Sequence, residues 1–163
     1  MNIRKSKPED LPAIMETYAY ARKLMRENGN LTQWGDSEPP EKKVRKDIKN
    51  GTGYVIEEDG ELCGVFAFII GRDPTYEEIW DGAWLNDTDE YGTIHRLGTN
   101  GKYHGIFDAC LKFCESQISN IRIDTHRDNK AMLHLIPSRG FKRCGIVHME
   151  DGTERVAFQK IKT

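Results

Sequence analysis

The sequence lacks an apolar run able to cross a bilayer; the longest, Val65 to Ile70, is far too short. It lacks a long basic run as well. With 24 Lys and Arg against 26 Asp and Glu, the formal net charge is −2. That balance gives no electrostatic case for binding nucleic acid or an anionic membrane. The opening residues, Met1-Asn2-Ile3-Arg4-Lys5, lead into no apolar segment, so no signal peptide is expected. Cysteine is scarce, with Cys63, Cys110, Cys114 and Cys144 alone. A chain of 163 residues needs no disulfides to hold one core, so the reducing cytoplasm is the expected compartment. Cys110 and Cys114 stand a helical turn apart and read as small apolar residues of a core face. A metal pair completed by His126 or His148 has no second C-x-x-C or H-x-x-x-H spacing behind it, so no metal is expected.

What is present is a globular composition, 37% hydrophobic and 31% charged, expected to form a single domain over residues 1–163. Residues 2–5 fit a short first strand. Ser6-x-x-Glu9 reads as a capping box with Pro8 in the first helical turn. Leu11, Ile14, Met15, Tyr18 and Ala21 then recur at helical spacing up to Asn28-Gly29. A second helix fits 41–49. Strands at 54–57 and 62–70 flank the tight-turn signal Asp59-Gly60. Val65 to Ile70 is apolar at both parities, which predicts a central strand covered on both faces. Residues 71–90 form a long connection carrying Tyr76, Trp80 and Trp84.

A strand over 91–97 has Ile94 and Leu97 at odd separation, and a β-bulge between them would return both to the core face. A glycine loop, Gly98-Thr99-Asn100-Gly101, leads to a helix from about His104. A strand at 121–124 follows, then a helix opened by Asp128 or Asn129 and ended or kinked by Pro137. Strands at 141–149 and 155–160 close the chain. The strand-helix-strand units around 91–126 and 121–149 predict some parallel pairing.

The chemistry concentrates in strand, glycine loop and helix over residues 94–106. Unpaired N–H groups at a helix start carry partial positive charge, and a glycine loop lets backbone close on a diphosphate. Lys102 adds a cation. Neither G-x-x-x-x-G-K-[ST] nor G-x-G-x-x-G is present, which argues against a nucleotide-binding loop.

This order of elements, with Glu9 to Ile14 opening helix one, Ile94-His95-Arg96-Leu97 before the loop, and Asp128-Asn129 followed by Gly140-Phe141, resembles the GNAT N-acetyltransferase superfamily over almost the whole chain. The resemblance implies an α+β fold with a mixed, mostly antiparallel central sheet of about seven strands and about four helices. It implies acetyl-CoA held between two splayed strands, one of them bulged. Carried over, the pantetheine falls to Leu97, Gly98 and Thr99, the pyrophosphate to Gly101, Lys102, Tyr103, His104, Gly105 and Ile106, and a further cofactor contact to Asn129. The sequence departs from the family's loop signature at Lys102 and Phe107. It also has Ile136 where many members place the Tyr that reprotonates the leaving thiolate.

The expected function is transfer of the acetyl group from acetyl-CoA directly to a primary amine of a small molecule or peptide. A backbone N–H of the bulged strand would polarise the thioester oxygen. His95 and His126, on strand ends, are candidates for the base that takes the amine proton, against the alternative of hydrogen-bonded surface histidines. Asp124 reads as structural, and nothing pairs Cys110 or Cys114 with a base. The acceptor would meet Trp34, Tyr76, Trp80 and Trp84, with Gln33, Glu77, Glu78 and Asp81 nearby, through cation–π contacts and charge. The alternative there is core tryptophans and a solvated acidic face. Other readings are an acyl-CoA-binding sensory module without turnover and a protein-interaction domain without CoA. Pairing of the late strands across a homodimer rests on family analogy.

Overall fold

The computed structural model describes residues 1–35 and 37–163. Seven strands form one sheet: β1 (Asn2–Lys5), β2 (Gly53–Glu58), β3 (Glu61–Ile70), β4 (Gly92–Thr99), β5 (Asn120–Thr125), β6 (Lys142–His148) and β7 (Glu154–Ile161). Their order across the sheet is β1-β2-β3-β4-β5-β7-β6. Four helices pack on it: α1 (Leu11–Glu27), α2 (Glu41–Asn50), α3 (Ile106–Gln117) and α4 (Lys130–Ser138). This is the mixed, mostly antiparallel α+β architecture expected, with parallel pairing between β4 and β5.

Alternation along the strands explains the layers. Val55 and Val65 face Leu11, Ile14, Tyr18 and Val44 of α1 and α2. Ile56, Phe66, Phe68, Ile94, Ile121 and Ile123 face Ile106, Phe107, Cys110 and Cys114 of α3 and Ile136 of α4. β3 is therefore buried on both sides, as its doubled apolar pattern predicts. The long connection before β4 covers the rest of the first face, with Tyr76, Trp84 and Tyr91 packed on Cys144, Val147 and Ala157.

Three local expectations are corrected. The helix-one cap is not Ser6 with Glu9; the Lys7 N–H donates to Asp10 Oδ2 at 2.7 Å, and Pro8–Asp10 forms a 3-10 turn ahead of α1. β4 runs to Thr99, so Gly98 and Thr99 belong to the strand, paired with Val65 and Gly64, and α3 begins at Ile106 rather than His104. The unit over 121–149 gives no adjacent parallel pair, because β7 inserts between β5 and β6. The hairpin turn fits its sequence: Asp59 and Gly60 both take positive φ, 53° and 76°, as the twist-matched two-residue turn requires.

Candidate active site

β4 and β5 pair only over Gly92–Ile94 and Ile121–Ile123, then part. The cause lies in β4. Arg96 and Leu97 together oppose Phe66, which makes a bulge, and Arg96 takes φ 53°. That strained residue is held by three hydrogen bonds to two partners. The Tyr18 hydroxyl donates to the Arg96 carbonyl at 2.7 Å, and the Arg96 guanidinium makes two bonds to Asp47, at 3.0 and 2.6 Å. Ile94 and Leu97 both reach the core on the α3 side, as the broken alternation predicts.

The fork opens a cavity of about 540 Å³. Its β4 wall holds Ile94, His95, Arg96 and Leu97, and its β5 wall holds Ile123, Asp124 and Thr125. Gln33 and Trp34 close one side, Asn129 and Met132 another, and Glu150, Asp151 and Arg155 approach from the β6–β7 end.

His95 and Asp124 are the first residues beyond the last rung, Ile94–Ile123. His95 Nε2 lies 2.8 Å from Asp73 Oδ2. Burial raises the Asp73 carboxyl, but hydrogen bonds from His95 and Thr75 and the charge of His95 outweigh it and bring it down to about 2. Asp73 is thus ionised at neutral pH and fixes Nε2 as the protonated nitrogen, which leaves Nδ1 as the ring's basic atom. Tyr76 donates to Asp124 Oδ2 at 2.6 Å, and Arg155 Nε lies 3.8 Å from Oδ1. Burial pushes the Asp124 carboxyl up, while His95, Tyr76 and Arg155 pull against it. Asp73 was missed by sequence reading; it lies 22 residues from His95, in the connection whose path no local pattern specifies.

His126 stands apart from the cavity walls. Its Nδ1 accepts from the Asp128 N–H at 3.0 Å and its Nε2 donates to Thr32 Oγ1 at 3.0 Å. Both ring nitrogens are engaged, so His126 is a latch between the loop after α1 and the end of β5. Burial, then the charge of Arg155, lowers its pKa and keeps it neutral.

The aromatic residues divide. Trp34 is half-buried on the cavity, edge-on to Tyr18 with ring centroids 5.4 Å apart. Trp80 and Trp84 lie off the cavity. Trp84 is buried against Arg122, whose guanidinium sits 3.9 Å from the Trp84 ring and 3.8 Å from the Tyr91 ring. Trp80 stacks edge-on to His148 at the outer strand β6. Tyr76 is buried behind the site, with its hydroxyl on Asp124 and its ring centroid 6.4 Å from that of His95. Glu77, Glu78 and Asp81 are absent from the cavity walls among the described residues.

On the donor side, the first N–H groups of α3, those of Ile106, Phe107 and Asp108, have no intrahelical acceptor; the ladder begins with Ala109 N to Gly105 O at 3.0 Å. Gly105 has φ 81°, and a Cβ there would meet nothing within 4 Å, so the approach to the helix start is open. Phe107 turns into the core and leaves that approach clear. Lys102 and Tyr103 are turned to the hairpin turn, Lys102 onto Glu61 and Tyr103 towards Asp59 at 3.4 Å. His104 is exposed. Gly101 packs against the Tyr20 ring. Asn129 caps α4, its Oδ1 accepting from Met132 N at 3.2 Å. Ile136 is fully buried, so no hydroxyl is offered from that position. Among the described residues, no group of three His, Cys, Asp or Glu side chains could hold a metal ion, and no helix is long and apolar enough to cross a membrane.

A strand fork widened by a bulge, with an open helix N-terminus below it, defines an acyltransferase fold of the GNAT class. A GNAT-family acetyltransferase from Streptococcus agalactiae 2603 is 32% identical, with 99% of this chain and 95% of that one covered and a TM-score of 0.90. The chain belongs to the GNAT acetyltransferase family. More distant structures share the fold: a ribosomal-protein-alanine N-acetyltransferase from Brucella melitensis, at 18% identity and TM-score 0.64 over 99% of both chains, and a phosphinothricin acetyltransferase from Sinorhizobium meliloti in complex with AcCoA, at 14% identity and TM-score 0.63 over 99% of this chain and 88% of that one. No family model and no curated protein matches the chain.

Proposed function

We propose that the protein is a cytoplasmic N-acetyltransferase that passes the acetyl group of acetyl-CoA directly to a primary amine on a small molecule or peptide. The observation that carries this reading is the pair His95–Asp73 on the wall of the β4–β5 fork, 2.8 Å apart. Acetyl-CoA supplies the reactive thioester. The open start of α3 at Gly105 and Ile106 takes its diphosphate, while Leu97, Gly98, Thr99 and Asn129 line the path to the fork. The bulge frees a backbone N–H on β4 to polarise the thioester oxygen. His95 Nδ1 removes the amine proton while Asp73 holds the ring and stabilises the imidazolium. Trp34 forms the acceptor wall, and Tyr76 supports it indirectly through Asp124. The four cysteines are free and buried, which suits a reducing compartment.

Calorimetric titration with acetyl-CoA, free CoA and ATP tests the donor. Saturable binding of acetyl-CoA but not ATP supports the reading, and an amine screen scored by thiol release tests transfer. Absence of heat with any CoA species sinks it. A second reading, an acyl-CoA sensor without turnover, draws on the buried Ile136, which leaves no tyrosine to reprotonate the thiolate. Acetyl-CoA binding without thiol release across the screen would favour it.

A further inference from the structure

Gln33 is where three segments of the site meet. Its Oε1 accepts from Asn30 Nδ2 at 3.0 Å, from Asn129 Nδ2 at 3.2 Å, from the His126 N–H at 3.3 Å and from Thr125 Oγ1 at 3.5 Å. Its backbone carbonyl takes Arg155 at 3.3 Å. An amide oxygen has two lone pairs, so four donors over-subscribe it. The next residue along the chain is Trp34, on the acceptor wall. Asn129, on the other side, is held at both ends: its Oδ1 caps α4 and its Nδ2 is bound to Gln33.

We propose that Gln33 is a positioning residue that couples the donor side of the cavity, through Asn129, to the acceptor side, through Trp34. The inference rests on the reading that acetyl-CoA occupies the fork. An occupant that engages the Asn129 amide relieves the crowding at Gln33 Oε1. The remaining donors, from Asn30, Thr125 and His126, then set the oxygen's position, and the backbone carrying Trp34 follows. Because coupling between two sites is reciprocal, an acceptor seated against Trp34 tightens the hold on acetyl-CoA by the same factor. Sequence reading placed Gln33 near the acceptor without this role, since the donors to its side chain come from residues 30, 125, 126 and 129.

The test uses acetyl-CoA as probe and Trp34 fluorescence, isolated as the difference between wild type and Trp34→Phe. In the wild type the Trp34 signal should saturate at the calorimetric Kd. In Gln33→Leu the oxygen that links Asn129 to the backbone of Trp34 is gone, so acetyl-CoA should still bind while the Trp34 amplitude falls several-fold. Gln33→Glu keeps acceptor oxygens and should restore most of the amplitude. Asn129→Asp retains the α4 cap but removes the donor, so at saturating acetyl-CoA it should silence Trp34 even if the leucine variant does not fold. A full Trp34 response in both Gln33→Leu and Asn129→Asp overturns the coupling. A wild type that binds acetyl-CoA with Trp34 silent overturns the coupling alone, whereas a wild type that binds none overturns the functional reading and this inference together.

Discussion

Tyr18 and Arg96 are joined by a 2.7 Å hydrogen bond from the phenol of α1 to the carbonyl of the one bulge residue with positive φ. Tyr18 is fully buried, and burial raises its pKa so that it remains a donor at any ordinary pH. Helix one thereby holds the fork open from behind. Tyr18→Phe should cost about 1 kcal/mol in urea unfolding. It should weaken acetyl-CoA as well, because the Arg96 carbonyl loses the partner that fixes the bulge. Lost stability with unchanged affinity would separate the bulge from cofactor binding.

Gly105 offers a test in which stability and binding move in opposite directions. Asn and Asp both tolerate left-handed backbone better than other side chains, and open space surrounds the position. Asp adds a negative charge at the start of α3, which favours the helix but repels a diphosphate. Gly105→Asp should bind acetyl-CoA about tenfold more weakly than Gly105→Asn while melting no lower. Equal affinities would move the diphosphate to another part of the loop.

The dyad makes a kinetic prediction. His95→Gln should lower kcat by about a hundredfold or more with little change in KM for acetyl-CoA. Asp73→Asn removes the carboxylate that orients the ring, so kcat should fall by about tenfold with the KM for acetyl-CoA little changed. An unchanged kcat in Asp73→Asn would remove Asp73 from the proton path.

Asp73 also has a stability signature. Its folded pKa is about 2, below the ordinary aspartate value near 4, so the folded state binds fewer protons in that interval. Its stabilising contribution is complete above pH 4 and is lost as pH falls towards 2. Wild type and Asp73→Asn should therefore converge in melting temperature on acidification. Parallel curves down to pH 2 would argue against the depressed value.

Two tryptophans should behave in opposite ways. Trp84→Ala removes the ring that covers the buried Arg122 guanidinium and should cost about 3–5 kcal/mol. Trp34→Ala should leave acetyl-CoA binding in place and raise the KM of the acceptor. Loss of thermal stability in Trp34→Ala with unchanged kinetics would return Trp34 to the core.

The parts legible in the sequence were those set by short-range periodicity. The doubled apolar pattern of residues 65–70 marked the central strand, and the odd separation of Ile94 and Leu97 marked the bulge. The start of the last helix was marked by Asp128 or Asn129, and Asn129 is the one that caps it. The rest depended on where a long connection folds. Nothing near Trp84 in sequence shows that Arg122, on another strand, will lie against it, and so a tryptophan that reads as part of a ligand wall packs on a buried cation. The same distance hid Asp73 from His95. Lys102 misled in the other direction: it stands beside the helix start in sequence, yet its nearest counter-charge, Glu61, comes from the neighbouring hairpin.

The short bridge between Trp80 and Ile146 covers part of the β6 edge of the sheet. The Trp80 N–H donates to the Ile146 carbonyl at 2.8 Å and the Ile146 N–H donates back at 2.7 Å. A strand from a second molecule arriving at β6 would find those groups taken and would have to displace the connection first. The segment that packs around Arg122 therefore also guards this stretch of β6 against edge-to-edge pairing.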